Sequence, residues 1–330
     1  MPKLVTIYGG SGFVGRYIAR RLAERGWRIR VAVRNPNLAH FVRPYGVVGQ
    51  VEPVFCNIRD DNSVRSVMTG ADAVVNCVGI LAEQGKQRFD ALQHEGAERI
   101  ARIAAEAGVS SMVQLSAIGA DPKSDSEYAR SKALGEEGVL GHMPGAVILR
   151  PSIIFGPEDQ FFNRFASMAQ FGPILPVVGA GTRFQPVYVD DVARVAADAV
   201  AGDVAPGIYE LGGPDVATFK DLMLTMLGII RRRRLVANVP FPVARVMGWG
   251  FDLLKTLSGG LIAGPLTLDQ VRNLARDNVV SDKALGFADL GMEPADMDAV
   301  LPEYLWRFRP SGQYSEIKES ASYLKDVNRP

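Results

Sequence analysis

The chain has 330 residues, with 37 Lys and Arg against 36 Asp and Glu, and this net charge of +1 supplies no global field for nucleic acid or a membrane surface. Hydrophobic residues make up 47% and charged ones 22%, a balance that excludes a disordered chain and suffices for a large domain plus a smaller lobe. Two cysteines without CxxC spacing, Cys56 and Cys77, and three scattered histidines at 40, 94 and 142 exclude a disulfide framework and predict no metal site.

Met1-Pro2-Lys3 leads directly into the first strand, which leaves no room for a targeting peptide and predicts a cytosolic protein or one held on a cytosolic face. No run of about 18 uncharged apolar residues occurs, so no transmembrane helix is expected. Strand 3–8 runs into closely spaced glycines in Leu4-Val-Thr-Ile-Tyr-Gly-Gly-Ser-Gly-Phe-Val-Gly-Arg16, and a helix follows over 12–25, closed by Gly26. A strand, a glycine turn and a helix at the head of an α/β pattern predict a dinucleotide cradle. Gly9, Ser11, Gly12, Phe13, Val14, Gly15 and Arg16 would line it, with the helix N-terminus toward the pyrophosphate.

The second strand, 28–33, ends at Arg34, 19 positions after Gly15 and with no acidic residue nearby. An acid at that place would bind the ribose 2′-hydroxyl, whereas an arginine accommodates a 2′-phosphate, so Arg34 and Arg16 favour NADPH over NADH. The alternative is that Arg34 is a solvated loop charge. Strand 51–55 is followed by Asn57 and Ile58, where a polar residue would meet the adenine edge. After helix 61–69 and strand 72–76, the backbone of Cys77, Val78 and Gly79 would pass the cofactor ribose, while the Cys77 thiol reads as a small buried apolar group.

A helix is expected from Phe89 to Ala107, with His94 a satisfied or solvated side chain, then strand 111–116, a helix from about Ser124 to Leu140 and strand 145–150. Six such alternations predict a Rossmann-type doubly wound parallel sheet over 1–150. Tyr128 and Lys132 share one helix face, and Ser116 ends the neighbouring strand. A phenol acts as acid or base only where a cation such as Lys132 stabilises the phenolate, and Ser116 would hydrogen-bond the reacting oxygen.

The glycines at 9, 12 and 15, Ser116 and Tyr128-xxx-Lys132 together resemble the short-chain dehydrogenase/reductases. In the extended type of that family, Arg150-Pro-Ser-Ile-Ile-Phe-Gly156, including Pro151 and Ile153, is the counterpart of the segment beneath the nicotinamide. Gln185-Pro-Val-Tyr-Val-Asp-Asp-Val192 resembles that type's return to the main domain. A mixed lobe over 151–308, with 185–212 returning to the core, follows from that resemblance. Three segments narrow it: Arg43-Pro-Tyr-Gly-Val-Val-Gly-Gln50, Glu127-Tyr-Ala-Arg-Ser-Lys-Ala-Leu-Gly-Glu136 and Ile154-Phe-Gly-Pro-Glu-Asp-Gln-Phe-Phe-Asn-Arg-Phe-Ala166. They are similar to the alpha-9-type accessory subunits of respiratory complex I, NADH:ubiquinone oxidoreductase.

That resemblance implies an atypical, non-catalytic member that holds NADPH and docks on peripheral-arm subunits near the membrane and quinone site. It would lie on the cytoplasmic side of a bacterial inner membrane, or on the matrix side as a processed mitochondrial form. The presence of Ser116, Tyr128 and Lys132 keeps open a second reading, a working NADPH-dependent reductase or epimerase.

Thr218-Phe-Lys-Asp221 opens an apolar helix that runs into Arg231-Arg-Arg-Arg234. Those arginines are either a solvated edge or a face for anionic lipid or a partner subunit. Phe241 to Gly264 carries Val243, Val246, Met247, Trp249, Phe251, Leu253, Leu254 and Leu257 all round a helix, which predicts burial. From 309 to 330 the composition suggests a weakly ordered tail.

Overall fold

The computed structural model describes residues 2–257, 266–310 and 312, with the side chains of 254–257 excepted. The expected tail beyond residue 312 and the 258–265 part of the apolar segment lie outside the described residues.

The dinucleotide half begins with β1 (Leu4–Tyr8), α1 (Phe13–Glu24), β2 (Arg28–Val33), a 3-10 stretch and β3 (Val51–Phe55). It continues with α2 (Asp61–Met68), β4 (Ala73–Asn76), α3 (Glu95–Glu106), β5 (Ser111–Leu115), α4 (Glu127–His142) and β6 (Val147–Pro151). The remainder comprises β7 (Ile154–Phe155), α5 (Phe162–Phe171), β8 (Ile174–Val178), β9 (Arg183–Phe184), β10 (Val187–Tyr188), α6 (Val189–Ala201) and β11 (Gly207–Leu211). Then come β12 (Ala217–Thr218), α7 (Phe219–Ile229), β13 (Leu235–Val239), α8 (Phe241–Leu257), α9 (Leu268–Leu274) and α10 (Met297–Leu305).

Seven parallel strands form one sheet in the order β11-β6-β5-β4-β1-β2-β3, so the strand order reverses between β1 and β4. Both faces are covered, which is why the strands read as nearly unbroken apolar runs. Val5 and Ile7 pack with α1 and α6 through Ile18, Leu22, Val192 and Val200. Tyr8 and Val74 pack on the other face with Val64, Ile100 and Val139 of α2, α3 and α4. Thr6, within β1, hides its hydroxyl by donating to the Val67 carbonyl at 2.8 Å.

Two expected helices start differently from the sequence reading. The 89–107 segment opens with a π-turn over Asp90–His94 before α3. Helix α4 starts at Glu127 because Ser126 caps it, accepting from the Ala129 amide, and it runs on to His142.

The lobe has its own core of Phe155, Phe162, Phe184, Phe219, Met223 and Leu301. Phe161 stacks on Phe219 at 5.4 Å and meets Phe162 and Phe165 edge-on. Buried Asp159 ties this cluster together, accepting from the amides of Gly156, Phe161 and Asn163 and from the Tyr304 hydroxyl at 2.6 Å. The segment 154–166 is thus the packing nucleus of the lobe.

Helix α8 departs from the expectation of burial. Ala244 is enclosed, but Val243, Val246, Met247, Trp249 and Leu253 are exposed, Val246 and Trp249 at 69% and 60%. The helix packs on α9, where Gly248 allows close backbone approach to Leu268, Phe241 at its start lies against Gly179, and Val243, Val246, Met247, Trp249 and Leu253 reach solvent.

Truncating Leu301→Ala opens a cavity between α10 and the lobe core. We expect a loss of about 2–5 kcal/mol, read as a lower urea midpoint with unchanged slope.

Candidate dinucleotide site

The carboxyl ends of β1 and β4 form the crevice, at the point where the strand order reverses. Gly9 sits there with φ +75°, and a Cβ on it would stand 3.2 Å from the Cys77 carbonyl carbon. A Cβ on Gly15 would stand 2.5 Å from the Gly9 carbonyl oxygen and 2.7 Å from Gly10 Cα, so this glycine is what lets α1 rest on the turn. Gly12 is the N-cap of α1 and brings no side-chain cap. Among the described residues, the first-turn amides of Phe13, Val14 and Gly15 have no side-chain cap, and a pyrophosphate fits that need.

Around this cradle, Ser11 offers its carbonyl to Arg16 Nη2 at 3.2 Å, and Arg16 also lies 3.5 Å from Glu158 and 4.8 Å over the Phe41 ring. Arg34 is exposed at the end of β2. Asn57 accepts from the Arg59 amide, while Ile58 is buried against α3, close to where Gly96 leaves room. On the β4 side, the Val78 amide donates to Asn76 Oδ1 at 3.1 Å, and buried Asn76 donates in turn to Gln114 at 2.8 Å. Pro151 ends β6, and the Ile153 amide donates to Asn278 Oδ1 at 3.1 Å.

The structure keeps Tyr128 and Lys132 together and gives the Ser116 hydroxyl a carboxylate partner. Lys132 Nζ lies 6.0 Å from the centre of the Tyr128 ring and donates to the Leu115 carbonyl at 3.2 Å. The Ser116 hydroxyl donates to Glu136, whose carboxylate is held by Arg150 through contacts of 2.9 and 2.5 Å. Glu136 is eight residues beyond Tyr128, a rise of about 12 Å along α4. The sequence reading has Ser116 hydrogen-bond the reacting oxygen; in the structure its hydroxyl donates to the buried Glu136 carboxylate, a strong acceptor.

Burial pushes the Tyr128 phenol up to about 12. Lys132 is itself lowered to about 8 by burial, with Glu136 and Cys77 pulling the other way. The Cys77 thiol is pushed up to about 12 by burial, with Lys132 pulling the other way.

Several contributors escaped the sequence reading because their partners are remote in the chain. Asp269 of α9 accepts from the Ser126 hydroxyl and from the Glu127 and Tyr128 amides at 3.0, 2.8 and 3.2 Å, finishing the N-terminus of α4. Arg276 and Arg272 hold Asp125, and Asn278 bonds Ser152 and Ile153. The one local signal that would have pointed to α9 is the Thr267-xx-Gln270 capping box at its head. Among the described residues, no group of three or more His, Cys, Asp or Glu is arranged to hold a metal ion.

A glycine cradle at a sheet switch point, with Tyr128 and Lys132 on α4, defines a nicotinamide dinucleotide-binding protein of the extended short-chain dehydrogenase type. The chain belongs to the NAD-dependent epimerase/dehydratase family, whose model matches residues 5–212. It is 35% identical over 94% of its length to NADH dehydrogenase (ubiquinone) 1 alpha subcomplex subunit 9 of Arabidopsis thaliana mitochondria, covering 79% of that protein. It is also 32% identical over 77% of its length to the ceramide reductase of Caulobacter vibrioides, covering 79% of it. Among solved structures, gox2253 superposes with a TM-score of 0.71 at 21% identity, over 94% of this chain and 99% of that one, a likeness of fold.

The lowered Lys132 has a pH signature. The unfolded chain keeps that proton to about pH 10.4, so the buried charge is a penalty below about pH 8 that is relieved as pH rises. In the cofactor-free chain, the stability advantage of Lys132→Met over the unaltered protein is expected to be largest below pH 8. Urea unfolding at several pH values should show it shrinking toward about pH 10.

Proposed function

We propose that this chain is an NADPH-binding accessory subunit of respiratory complex I, with a structural and assembly role on the peripheral arm close to the membrane. The observation that carries the reading is the likeness to an alpha subcomplex subunit 9 protein over 94% of the chain, which takes in the lobe as well as the sheet. A structural role agrees with a site in which Ser116 is committed to Glu136 and the Tyr128 phenol is held protonated.

NADPH rather than NADH is supported by Arg34 at the end of β2, exposed and without a carboxylate beside it in sequence, and by Arg16 at the head of α1. In this reading the chain binds the inner membrane peripherally, on the bacterial cytoplasmic or the mitochondrial matrix side. No helix among the described residues is long and apolar enough to cross a membrane. The exposed apolar side chains of α8 offer a docking face.

The likeness to a ceramide reductase favours one second reading, in which the chain turns over. The bound cofactor would supply hydride, and Tyr128 with Lys132 would handle the proton at the substrate oxygen.

Purification from native membranes separates these readings. Recovery with complex I subunits and stoichiometric NADPH is the expected result, and recovery as a free soluble protein would overturn the subunit reading. Tyr128→Phe is expected to leave NADPH content and complex I assembly intact, while loss of a measurable reductase activity would favour the enzyme. Gly12→Asp places a carboxylate at the phosphate cradle and should abolish cofactor retention, measured as NADPH released on denaturation. Arg34→Ala should weaken NADPH binding roughly tenfold and leave NADH binding unchanged in a calorimetric titration.

A further inference from the structure

The π-turn Asp90–His94 carries a side chain that neither the sequence motifs nor the packing accounts for. Gln93 is 2% exposed and precedes the buried Ala97, Ile100 and Ala104 of α3. Its Nε2 donates to the Ile80 carbonyl at 3.2 Å, which turns the other end of the amide away from that strand exit. Among the described residues, Gln93 Oε1 is the one buried side-chain N or O atom without a hydrogen-bond partner. Leaving such an acceptor unpaired is costly, and retention of one in a crevice points to a donor on a ligand.

Its surroundings specify the donor. A Cβ placed on Gly79 would stand 3.3 Å from Lys132 Nζ and 4.0 Å from Gln93 Oε1, so both atoms lie on the side of this exposed glycine where a side chain would be. The Lys132 ammonium has three protons, and the Leu115 carbonyl is its one hydrogen-bond acceptor among the described residues. A spare acceptor beside spare donors suits a group that gives and receives together, as adjacent sugar hydroxyls do. An anionic oxygen would be repelled by Oε1. Gly79 follows β4 at the switch point, on the nicotinamide side of the cradle.

We propose that Gln93 is a cofactor-binding residue, its Oε1 accepting a hydrogen bond from a hydroxyl of the nicotinamide ribose while Lys132 donates to the same hydroxyl pair. The proposal rests on the dinucleotide reading above. It explains why a buried amide sits here: Nε2 fixes the side chain on Ile80, and Oε1 faces the sugar. The same acceptor would also suit the N–H groups of the nicotinamide carboxamide, and the ligands below distinguish the two.

The test uses the full chain with Gln93→Leu and, in case that variant folds poorly, Gln93→Met. Each is titrated with NADP+, with its nicotinic acid analogue and with 2′,5′-ADP, which lacks the nicotinamide riboside. The expected result is about tenfold weaker binding of NADP+ and of the nicotinic acid analogue, with 2′,5′-ADP affinity within about twofold of the unaltered chain. Unchanged NADP+ affinity would overturn the proposal, as would an equal loss for 2′,5′-ADP, which marks general damage to the site. A penalty seen with NADP+ and absent with the nicotinic acid analogue would give Gln93 to the carboxamide and overturn the ribose assignment. Failure of the unaltered chain to bind NADP+ would overturn the dinucleotide reading itself.

Discussion

The structure depends on one close backbone approach, the seating of α1 on the turn after β1. Gly15 permits it, because any larger residue would drive a Cβ into the Gly9 carbonyl and Gly10 Cα. From that seat follow the direction of α1, the uncapped amides of its first turn and the packing of Ile18 and Leu22 over Val5 and Ile7. The same turn brings Gly9 against Cys77, which draws the ends of β1 and β4 together and makes the crevice. Fold and cofactor site are one construction here, since the glycines that admit a phosphate are those that let the helix pack.

A second organising element is α4, which the lobe completes. Its N-terminus is finished by Asp269 from α9, and its middle is pinned by Lys132 to Leu115 and by Glu136 to Ser116 and Arg150. The lobe therefore helps determine where Tyr128 and Lys132 stand, and α9 connects α4 to α8, whose apolar faces lie in solvent. A helix with so much exposed apolar surface is stable in water only at a cost, which a partner or a membrane interface would relieve.

The polar partners of Ser116, Tyr128 and Lys132 come from several elements of the chain. Ser116 and Tyr128 have the expected order and spacing; the serine hydroxyl donates to the buried Glu136 carboxylate, and burial raises the Tyr128 phenol. Arg150 makes that carboxylate permanent in its place, so the serine is held as part of a packed ionic network.

The strands, the glycine turn and the Tyr128-xxx-Lys132 pair were legible in the chain itself. They rest on local physics, namely the period of apolar residues, the backbone freedom of glycine and the i,i+4 geometry of a helix. The segment 154–166 likewise carried its family likeness in its letters, though nothing local showed that Phe161 and Phe162 nucleate the lobe core or that Asp159 meets Tyr304. Tertiary structure alone decided the partners of Ser116, the capping of α4 by Asp269, the exposure of α8 and the unpaired oxygen of Gln93. Each depends on which groups far apart in sequence compete for one proton or one patch of surface, and that competition exists only once the chain has folded.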